Sequence, residues 1–589
     1  MNPIESICSR YEEGYRGLLI SGRSLYDFVT EDGKLRPLLE TLRRALFTRY
    51  GMLTVTYSMA AGLDYDTRFL EKDADRRSVE NILRAHRLLD LPRDQREVEL
   101  VIRGISTMVR KQSEDQLKWS DGRSILFAVL IEFTEHLAPA LMNGTQTEAQ
   151  LQVIELSHLT AQSLSLRSSG NLVIFHGREG LIDDLVSSPL HAIRLNQPDQ
   201  EEKQEFITAA LKLYTGAAFE KELTPAAVAH ITANTPNRSL EQMLRASHKS
   251  GRELTAGQLS AQKNRDVEQI SEGTLTSLDT ARVKDVVLCG VNIEKAREIL
   301  LKLGDGLKNG HRTMPANVIL AGAPGTGKTD LALLTARQAN VPAYQMHSPK
   351  GGIVGETERK ARLQQTVLKE GAPNVGFIDE ITEAMPMERS DFDGDSGASR
   401  AVMAELLKSF SDESRRGRSL VIAATNCPWR MSEAMRSRFT FIPVLHPLKK
   451  DFAGIVWAIA RGIQSNTDIT PENALIQEAA TVFYSKGANP RHVRAAISNA
   501  LLAQDALTAE LVLEAAHDLC AFNDQASSIY ADLWAIMTCS SRSFFPWSKD
   551  PKGYPYPPHL KEIINQETGE IDYKALMHSI EEYKNYANV

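Results

Sequence analysis

The chain has 589 residues, of which 42% are hydrophobic and 24% charged, a composition typical of folded globular proteins. Because one hydrophobic core cannot serve this length, we expect three or four structural units of roughly 150 residues each. The net charge of −7 provides no overall attraction for nucleic acid or for an anionic membrane, so nucleic acid is a possible partner that the composition does not indicate.

The sequence carries little sign of export, metal binding or membrane insertion. The five cysteines are far apart and form no CxxC or Cys/His cluster, which argues against a zinc site or a disulfide framework. The N-terminal residues include acidic ones and no long apolar core, unlike a signal peptide. The longest strongly apolar run, Ile125–Ile131, is far shorter than the ~20 residues that span a bilayer. We therefore expect a cytoplasmic protein with no membrane partner.

The first 250 residues alternate helical and strand patterns. An amphipathic helix is predicted around Leu38–Leu46, where leucines recur at helical spacing. Strands are predicted in later apolar runs, which are Leu53–Tyr57, Ile125–Phe133, Leu172–Phe175 and His191–Leu195. A small helical bundle is predicted from about Thr224 to Ser247. This alternation predicts an α/β domain with a helical lid over residues 1–250.

The same layout then occurs a second time. Residues 251–282 are polar and include glycines, so we predict a linker there. An α/β subdomain is predicted over residues 283–447, and a helical segment over residues 448–521. Two successive units of the same kind are therefore expected.

The final segment, residues 522–589, has a different composition. It holds 11 of the 38 aromatic residues and five prolines. Its stretch SFFPWSKDPKGYPYPP cannot form a regular helix, because proline removes backbone donors and blocks the preceding turn. So many aromatic side chains predict that this tail folds back over the preceding unit, since exposing them would create a large apolar patch. Docking on a neighbouring subunit or partner is the alternative.

The motif GAPGTGKT carries the clearest chemistry. A predicted strand, Asn317–Leu320, leads directly into it, and a helical pattern follows. Glycines allow backbone N–H groups to wrap phosphates, and the helix N-terminus adds a partial positive charge. Lys328 would reach the β- and γ-phosphates of a nucleotide, and the Thr329 hydroxyl would bind Mg²⁺. The predicted phosphate-binding residues are Gly322, Ala323, Pro324, Gly325, Thr326, Gly327, Lys328 and Thr329.

A second motif, VGFIDE, ends an apolar strand in two carboxylates. Asp379 at the strand end is suited to bind Mg²⁺, and Glu380 is suited to act as a base that polarises the attacking water. Phosphoryl transfer depends on positioning and charge neutralisation, so a metal carboxylate and a water-orienting group are the expected parts. After a phosphate loop in this order, the pair predicts nucleotide hydrolysis.

With these motifs, the segment from about Val283 to Ala521 resembles an AAA+ ATPase of the AAA clade. The resemblance implies an α/β fold with tandem P-loop AAA+ type parallel sheets and helical lid subdomains, the first unit being degenerate. It also implies ATP and Mg²⁺ as the bound cofactors. Leu288 and Gly290, in DVVLCGV, match the segment whose backbone holds the adenine, and Asn426, in LVIAATN, matches the residue that orients water together with Glu380.

Three arginines match further positions of this clade. Arg436 and Arg438, in AMRSRF, fall where arginine fingers reach the γ-phosphate of the neighbouring subunit. Arg491, in GANPRHVR, matches the lid residue that contacts the γ-phosphate. For Arg436 and Arg438 the alternative is a pair of surface arginines, and for Arg491 it is an ordinary arginine at a helix start.

The first half matches the same order of strands without its phosphate loop. LIEF stands where the metal carboxylate would be, and Leu172–Phe175 and His191–Leu195 stand where the later strands would be. No G-x-x-x-x-G-K-[ST] motif precedes Ile125, so this half should not hydrolyse ATP. It is interpreted as a degenerate AAA+ fold, with an unrelated α/β domain as the alternative. The tandem layout is similar to tandem ATPases encoded in algal plastid and cyanobacterial genomes.

The resemblance implies self-association into a ring, with a hexamer expected, which would remodel a macromolecular client, most naturally a protein. One departure concerns Ile353, which stands where protein-threading members carry an aromatic residue. Isoleucine lacks the flat face that wedges between client side chains. A nucleotide-controlled assembly or scaffold protein, whose ATP-bound oligomer recruits partners, is therefore the main alternative, and a DNA-associated ATPase is a third.

Overall fold

The computed structural model describes residues 3–68, 70, 72–89, 98–110, 118–140, 146–178, 180–221, 223–283, 288–348, 356–384, 398–464, 469–502, 506–521 and 525–586. The chain divides into two compact units, Met1–Asp266 and Val267–Val589. Within these described ranges, none of the helices is long and apolar enough to cross a membrane.

The first unit is an α/β fold around a six-stranded sheet. The strands of this unit are β1 (Gly17–Gly22), β2 (Phe28–Glu31), β3 (Lys34–Pro37), β4 (Met52–Ser58), β5 (Gly62–Tyr65), β6 (Leu126–Glu132), β7 (Leu172–His176) and β8 (His191–Leu195). Of these, β2 and β3 form a separate two-stranded sheet. Its helices are α1 (Pro3–Glu12), α2 (Leu38–Tyr50), α3 (Asp73–Ala85), α4 (Val98–Arg110), α5 (Thr134–Leu137), α6 (Glu148–Gln162), α7 (Leu164–Ser169), α8 (Asp184–Ser187), α9 (Gln200–Leu213), α10 (Pro225–Thr232), α11 (Asn237–Ser250) and α12 (Ala256–Ile270), the last of which crosses the boundary between the units.

Five parallel strands form the body of this sheet in the order β8-β1-β7-β6-β4, and β5 extends it as an antiparallel edge. Strand β6 shows why the sequence folds this way. Its residues LFAVLIE are almost continuously apolar, and all but the first are buried, as expected of a parallel strand covered on both faces.

The second unit has a sheet of its own and two groups of helices. Its strands are β9 (Leu275–Leu278), β10 (Asn317–Ala321), β11 (Ala343–Met346), β12 (Asn374–Ile378), β13 (Ser419–Thr425) and β14 (Thr440–Pro443). Its helices are α13 (Val291–Lys308), α14 (Lys328–Ala339), α15 (Glu356–Glu370), α16 (Ile381–Ala384), α17 (Ala398–Phe410), α18 (Glu433–Arg436), α19 (Phe452–Ile463), α20 (Ala474–Ser485), α21 (Pro490–Ala500), α22 (Ala509–Asp518), α23 (Gln525–Thr538) and α24 (Tyr573–Tyr586).

The second sheet repeats the strand order of the first. Its parallel strands lie in the order β14-β10-β13-β12-β11, and β9 pairs antiparallel with β11 at the edge. In each sheet the parallel strand that comes first along the chain lies between the last two. In the first sheet β1 lies between β7 and β8, and in the second β10 lies between β13 and β14. The predicted α/β fold class is confirmed. Because the strands are parallel, the carboxyl ends of β10, β12 and β13 meet at one edge, where ligands bind in folds of this kind.

A helical bundle follows the last strand of the second sheet. Helices α19 to α22 pack around fully buried apolar residues that include Phe452, Ile476, Phe483 and Val493. Helix α21 begins at Pro490, whose fixed φ suits the first helical turn. The Asn489 side chain caps it by accepting the His492 backbone N–H at 3.0 Å. The cap therefore fixes where the lid helix starts.

The C-terminal segment folds back on the second sheet, as its aromatic content predicts. Helix α23 packs against β14, and Tyr530 meets the Trp429 ring edge-on with centroids 4.6 Å apart. Further along, Phe545 and Trp547 stack in parallel at 4.7 Å and are buried in the same core. This segment is therefore part of the second unit's hydrophobic core.

Two stretches differ from the sequence predictions. Residues 251–282, predicted as a linker, instead contain α12 and the edge strand β9. Polar composition concealed an apolar position, Leu259, that is fully buried. No strand was predicted before Leu53, yet β1 lies inside the first sheet between β7 and β8. Its apolar run LLI spans only three residues, which is too short to produce a clear pattern.

Candidate functional site

The loop between β10 and α14 has a conformation that only glycine suits. Gly325 and Gly327 have φ values of +76° and +86°, in the left-handed region that glycine adopts without strain. At Gly322 a Cβ would lie 2.0 Å from the carbonyl oxygen of Val444, just after β14. The motif glycines are therefore required by the backbone path of the loop.

Lys328, the first residue of α14, is buried inside this loop and is 7% exposed. Its Nζ donates hydrogen bonds to the carbonyl oxygens of Gly322 at 2.9 Å and Ala323 at 2.8 Å, and to Asn426 Oδ1 at 2.6 Å. Burial lowers the pKa of Lys328 to about 8, because a desolvated ammonium is costly. A bound phosphate would supply the negative charge that this ammonium lacks.

Asn426 links the lysine to Glu380. It follows β13 directly, and its backbone N–H donates to Glu380 Oε2 at 3.2 Å while its side-chain amide donates to Glu380 Oε1. Glu380 itself has a φ of +45°, which is unusual for a residue other than glycine. Burial raises the pKa of its carboxyl group. Three predicted residues from three different loops are thus joined by hydrogen bonds.

Asp379 and Thr329 supply oxygen atoms at the same edge of the sheet. Asp379 comes directly after β12 and is exposed, and its charge acts on Lys328. Thr329 is the second residue of α14 and is half-buried. Carboxylate and hydroxyl oxygens are ligands that Mg²⁺ accepts alongside water and phosphate. The oxygen donors present therefore fit this ion.

The residues predicted to hold the adenine lie beside the phosphate loop. A Cβ at Gly327 would lie 3.6 Å from Leu288 Cδ2, so the leucine side chain packs against the loop. Gly290 precedes α13 with a φ of +112°, and Asp451 Oδ2 accepts the next backbone N–H, from Val291, at 3.0 Å. Residues 285–287 of the predicted segment lie outside the described residues.

The lid helix α21 approaches the loop from the other side. A Cβ at Gly325 would lie 2.9 Å from Asn489 Oδ1, so the helix cap contacts the phosphate loop. The exposed Arg491 lies near enough for its charge to lower the pKa of Lys328. Sequence reasoning singled out Arg491 and missed Asn489, although an Asn before Pro at a helix start was a readable signal.

The structure separates the two arginines predicted as fingers. Arg438 is half-buried, and its guanidinium donates to the Leu407 carbonyl at 3.1 Å and to Ser411 Oγ at 2.7 Å. Arg436 is exposed at the end of α18, and no side-chain hydrogen bond is recorded for it within the described ranges. Ile353 lies outside the described residues.

Comparison with known proteins locates a conserved domain here. Residues 318–445 match the family model of the ATPase family associated with various cellular activities (AAA). This region is an AAA domain. The matched residues include the phosphate loop, Asp379, Glu380, Asn426 and both candidate finger arginines.

Several curated proteins resemble part of the chain. An uncharacterized AAA domain-containing protein of Schizosaccharomyces pombe is 32% identical over 152 residues, covering 23% of this chain and 20% of that protein. Spastin of Bos taurus is 35% identical over 24% of this chain and 23% of its own length. A cell division cycle protein 48 homolog of Archaeoglobus fulgidus is 36% identical over 21% and 16%, respectively. The chain thus spans no more than about a quarter of these three relatives.

The first unit has a loop at the same position as the phosphate loop of the AAA domain. A Cβ at Gly22 would lie 2.4 Å from the Leu195 carbonyl oxygen, at the end of that sheet's last parallel strand. Next comes Arg23, which is fully buried and donates to Asp27 Oδ2 at 2.7 Å and to Glu202 Oε1 at 2.6 Å. The buried side chain of this loop, Arg23, is therefore already hydrogen-bonded to carboxylates of the protein itself.

The carboxylate pair of the AAA domain also has an altered counterpart in the first unit. Strand β6 ends at Glu132, which accepts a hydrogen bond from the Tyr26 hydroxyl. The following residue, Phe133, has a φ of +55°, close to the +45° of Glu380. An apolar ring thus stands where the AAA domain carries its second carboxylate. At this position the first unit therefore has a similar backbone conformation and a different side chain.

Proposed function

We propose that the AAA domain binds ATP with Mg²⁺ and hydrolyses its terminal phosphate. The observation that carries this proposal is the hydrogen-bonded set of Lys328, Asn426 and Glu380 at the carboxyl ends of β10, β12 and β13. A phosphate-binding cation and a carboxylate base are held in fixed relation by one amide. Fixed relation of this kind is the main contribution that a protein makes to phosphoryl transfer.

Each side chain has a distinct part in this reaction. Lys328 neutralises charge on the β- and γ-phosphates, and backbone N–H groups of Gly325 to Thr329 hold the phosphate oxygens. Glu380 accepts a proton from the attacking water, which its raised carboxyl pKa favours. Asn426 orients that water together with Glu380. Mg²⁺, held through Thr329 and Asp379, would neutralise charge on the phosphate oxygens.

Replacing Glu380 with glutamine tests the assignment. The Glu380→Gln variant should still bind ATP but release phosphate more slowly by a factor of about 10²–10⁴, the usual contribution of a general base. Glu383→Gln is the matched control, because Glu383 is exposed one helical turn away. Phosphate release by Glu380→Gln at the wild-type rate would overturn the proposal.

We further propose that the chain acts as an oligomeric ring, with a hexamer as the expected form, that remodels a protein client. The exposed position of Arg436 supports this, since a guanidinium at the protein surface is placed to reach a nucleotide on another subunit. Bound client should then accelerate ATP hydrolysis, and Ile353→Ala should remove the acceleration while leaving the basal rate unchanged.

A nucleotide-controlled assembly protein is the second candidate. The loop after β1 favours this candidate, because its buried Arg23 is bonded to Asp27 and Glu202 where a phosphate would bind. The first unit, about half of the chain, would then have a structural rather than a catalytic role. For such a protein, ATP binding alone builds the oligomer, and hydrolysis only dismantles it. Electron microscopy of Glu380→Gln with ATP separates the two. A closed ring that engages client supports the remodelling proposal, and an open filament formed without client supports assembly.

A further inference from the structure

The C-terminal segment reaches the candidate nucleotide site through a chain of buried polar groups. Tyr554 donates its hydroxyl hydrogen to Asn292 Oδ1 at 2.7 Å, and Asn292 Nδ2 donates to the His446 carbonyl at 2.6 Å. The His446 backbone N–H in turn donates to Asp532 Oδ2 at 2.9 Å. Two residues of the C-terminal segment thus hold one backbone position between them.

The residues in this chain adjoin both ends of the nucleotide site. Asn292 lies two residues after Gly290, at the start of α13, where the adenine is expected. At the other end, Asp532 interacts with the backbone of Ala323 in the phosphate loop and with the charge of Lys328. The chain of hydrogen bonds therefore runs from the adenine side to Asp532 Oδ2, and Asp532 lies close to Ala323 and Lys328 on the phosphate side. Its other carboxylate oxygen, Oδ1, has no hydrogen-bond partner among the described residues.

Burial makes these contacts specific. Asp532 is 4% exposed, Asn292 is 3% exposed and Tyr554 is 6% exposed. A buried polar group that loses its partner costs more than a solvated one, since water cannot replace the lost bond. Networks of this kind hold their members in a single arrangement. Packing of the hydrophobic core alone would not require these hydrogen bonds.

We propose that the C-terminal segment is part of the nucleotide site, with Tyr554 and Asp532 as positioning residues. Tyr554 fixes the start of α13 through Asn292, and Asp532 fixes the His446 backbone close to the phosphate loop. Neither touches the nucleotide. They set in advance the distance between the adenine and phosphate subsites, which lowers the ordering cost of binding. This inference rests on the proposed ATP site.

The chain offers a matched pair of tyrosines to test this. Tyr554 and Tyr556 are both 6% exposed in the same aromatic cluster. The Tyr556 hydroxyl has no hydrogen-bond partner among the residues that the structure describes. Tyr554→Phe and Tyr556→Phe therefore remove the same atom from similar surroundings, and only the first breaks the chain of hydrogen bonds.

The measurement is the Kd of a non-hydrolysable ATP analogue for the full chain, together with kcat at saturating ATP. Tyr554→Phe should raise Kd about fivefold, the effect of one lost buried hydrogen bond, with kcat changed by less than about twofold. Tyr556→Phe should match the wild type. Asp532→Ala should also weaken binding, and Asp532→Asn, which keeps an oxygen for the His446 N–H, should restore most of it.

A purely structural role predicts a different result. In that case Tyr554→Phe lowers the thermal midpoint but leaves Kd unchanged, which overturns the inference even if both Asp532 variants fail to fold. If the wild-type chain binds no analogue, the proposed ATP site and this inference are both wrong. If it binds the analogue with equal Kd in every variant, only the inference is wrong.

Discussion

At the scale of single residues, Arg436 and Arg438 stand two positions apart and differ in their surroundings. Arg438 donates to the end of α17 through Leu407 and Ser411, while Arg436 is exposed. Sequence reasoning gave both the same role, because a pattern such as RSR does not reveal which guanidinium is already bonded. The structure favours Arg436 as the group that is free to reach a neighbour.

This difference predicts different effects of two alanine substitutions. Arg438→Ala should lower the free energy of unfolding by about 1 kcal/mol, since it removes the hydrogen bonds of a half-buried guanidinium to Leu407 and Ser411. Arg436→Ala should leave stability within about 0.5 kcal/mol of the wild type, as is usual at exposed positions. Denaturant unfolding of the two variants measures both values. Equal losses of stability would contradict the assignment.

Which residues come together was predictable where a motif fixes the order of chemical groups. GAPGTGKT, the carboxylate pair and Asn426 were all found this way, and the structure brings Lys328, Glu380 and Asn426 together. Asp532 could not be found in the same manner, because it lies near the phosphate loop only through the folding of a distant part of the chain, and no local spacing records such a contact. Asn489 could be predicted as a helix cap, since it precedes a proline at a helix start, but its contact with the phosphate loop could not be predicted.

At the scale of elements, the loop after β1 and the loop after β10 have similar backbone paths and carry different side chains. Buried Arg23 bonds to Asp27 and Glu202 where the AAA domain would receive phosphate. The charges in this loop already have partners, and removing one of them would leave the other buried and unpaired, which is costly.

We therefore predict one nucleotide per chain. Equilibrium titration with a fluorescent ATP analogue should give a stoichiometry of about one, and Lys328→Ala should remove all binding, since it deletes the phosphate-binding cation. Arg23→Ala provides the complementary control and should leave the stoichiometry unchanged. A second site that survives Lys328→Ala would show that the first unit binds nucleotide.

The C-terminal segment also predicts a dependence of stability on pH. Burial lowers the pKa of His446 and of His559 to about 4. An unfolded histidine has a pKa of about 6.5. Between these values the unfolded chain binds protons that the folded chain does not, so each histidine makes stability fall as the pH falls. Burial raises the pKa of Asp532 to about 7. This carboxyl group therefore makes stability rise as the pH falls, opposite to the two histidines.

Replacing His559 with glutamine removes one of the two acid-sensitive groups. We expect the fall in thermal midpoint between about pH 7 and pH 5 to be smaller in His559→Gln than in the wild type. His578→Gln is the matched control, because His578 is exposed on α24. An unchanged fall in His559→Gln, equal to that of the control, would refute this prediction.

Elements with a clear apolar pattern were predictable, and those with a polar sequence or an apolar run of only three residues were not. The continuous apolar run of β6 identified a buried parallel strand. By contrast, β9 has the sequence LTSL, and it is a strand because its backbone pairs with β11. Backbone pairing depends on a partner far along the chain, so side-chain composition alone labelled this stretch a linker.

At the scale of the whole molecule, the two units share a strand order, and the reactive groups that we assign lie in the second. If Arg436 acts on a neighbouring subunit, two inactive variants should complement each other. A mixture of Arg436→Ala and Lys328→Ala chains then forms some interfaces with an intact lysine and an intact finger. With equal amounts and random assembly, about a quarter of head-to-tail interfaces are intact.

Phosphate release by the mixture provides the measurement. Each variant alone should be nearly inactive, and the mixture should recover activity in proportion to its intact interfaces. The control is a mixture of Lys328→Ala with Glu380→Gln chains, in which no subunit combines an intact lysine with an intact base. Recovery in the control, or none in the test mixture, would contradict action between subunits.

The hydrogen bonds of Lys328 to its own loop have a consequence for the reaction cycle. With acceptors at Gly322, Ala323 and Asn426, the ammonium keeps partners when no phosphate is present. An arriving nucleotide would therefore exchange one set of bonds for another, and a departing one would leave the loop in its folded shape. In the proposed ATP site, the phosphate loop is thus held in its folded shape by the same lysine that would bind the phosphate.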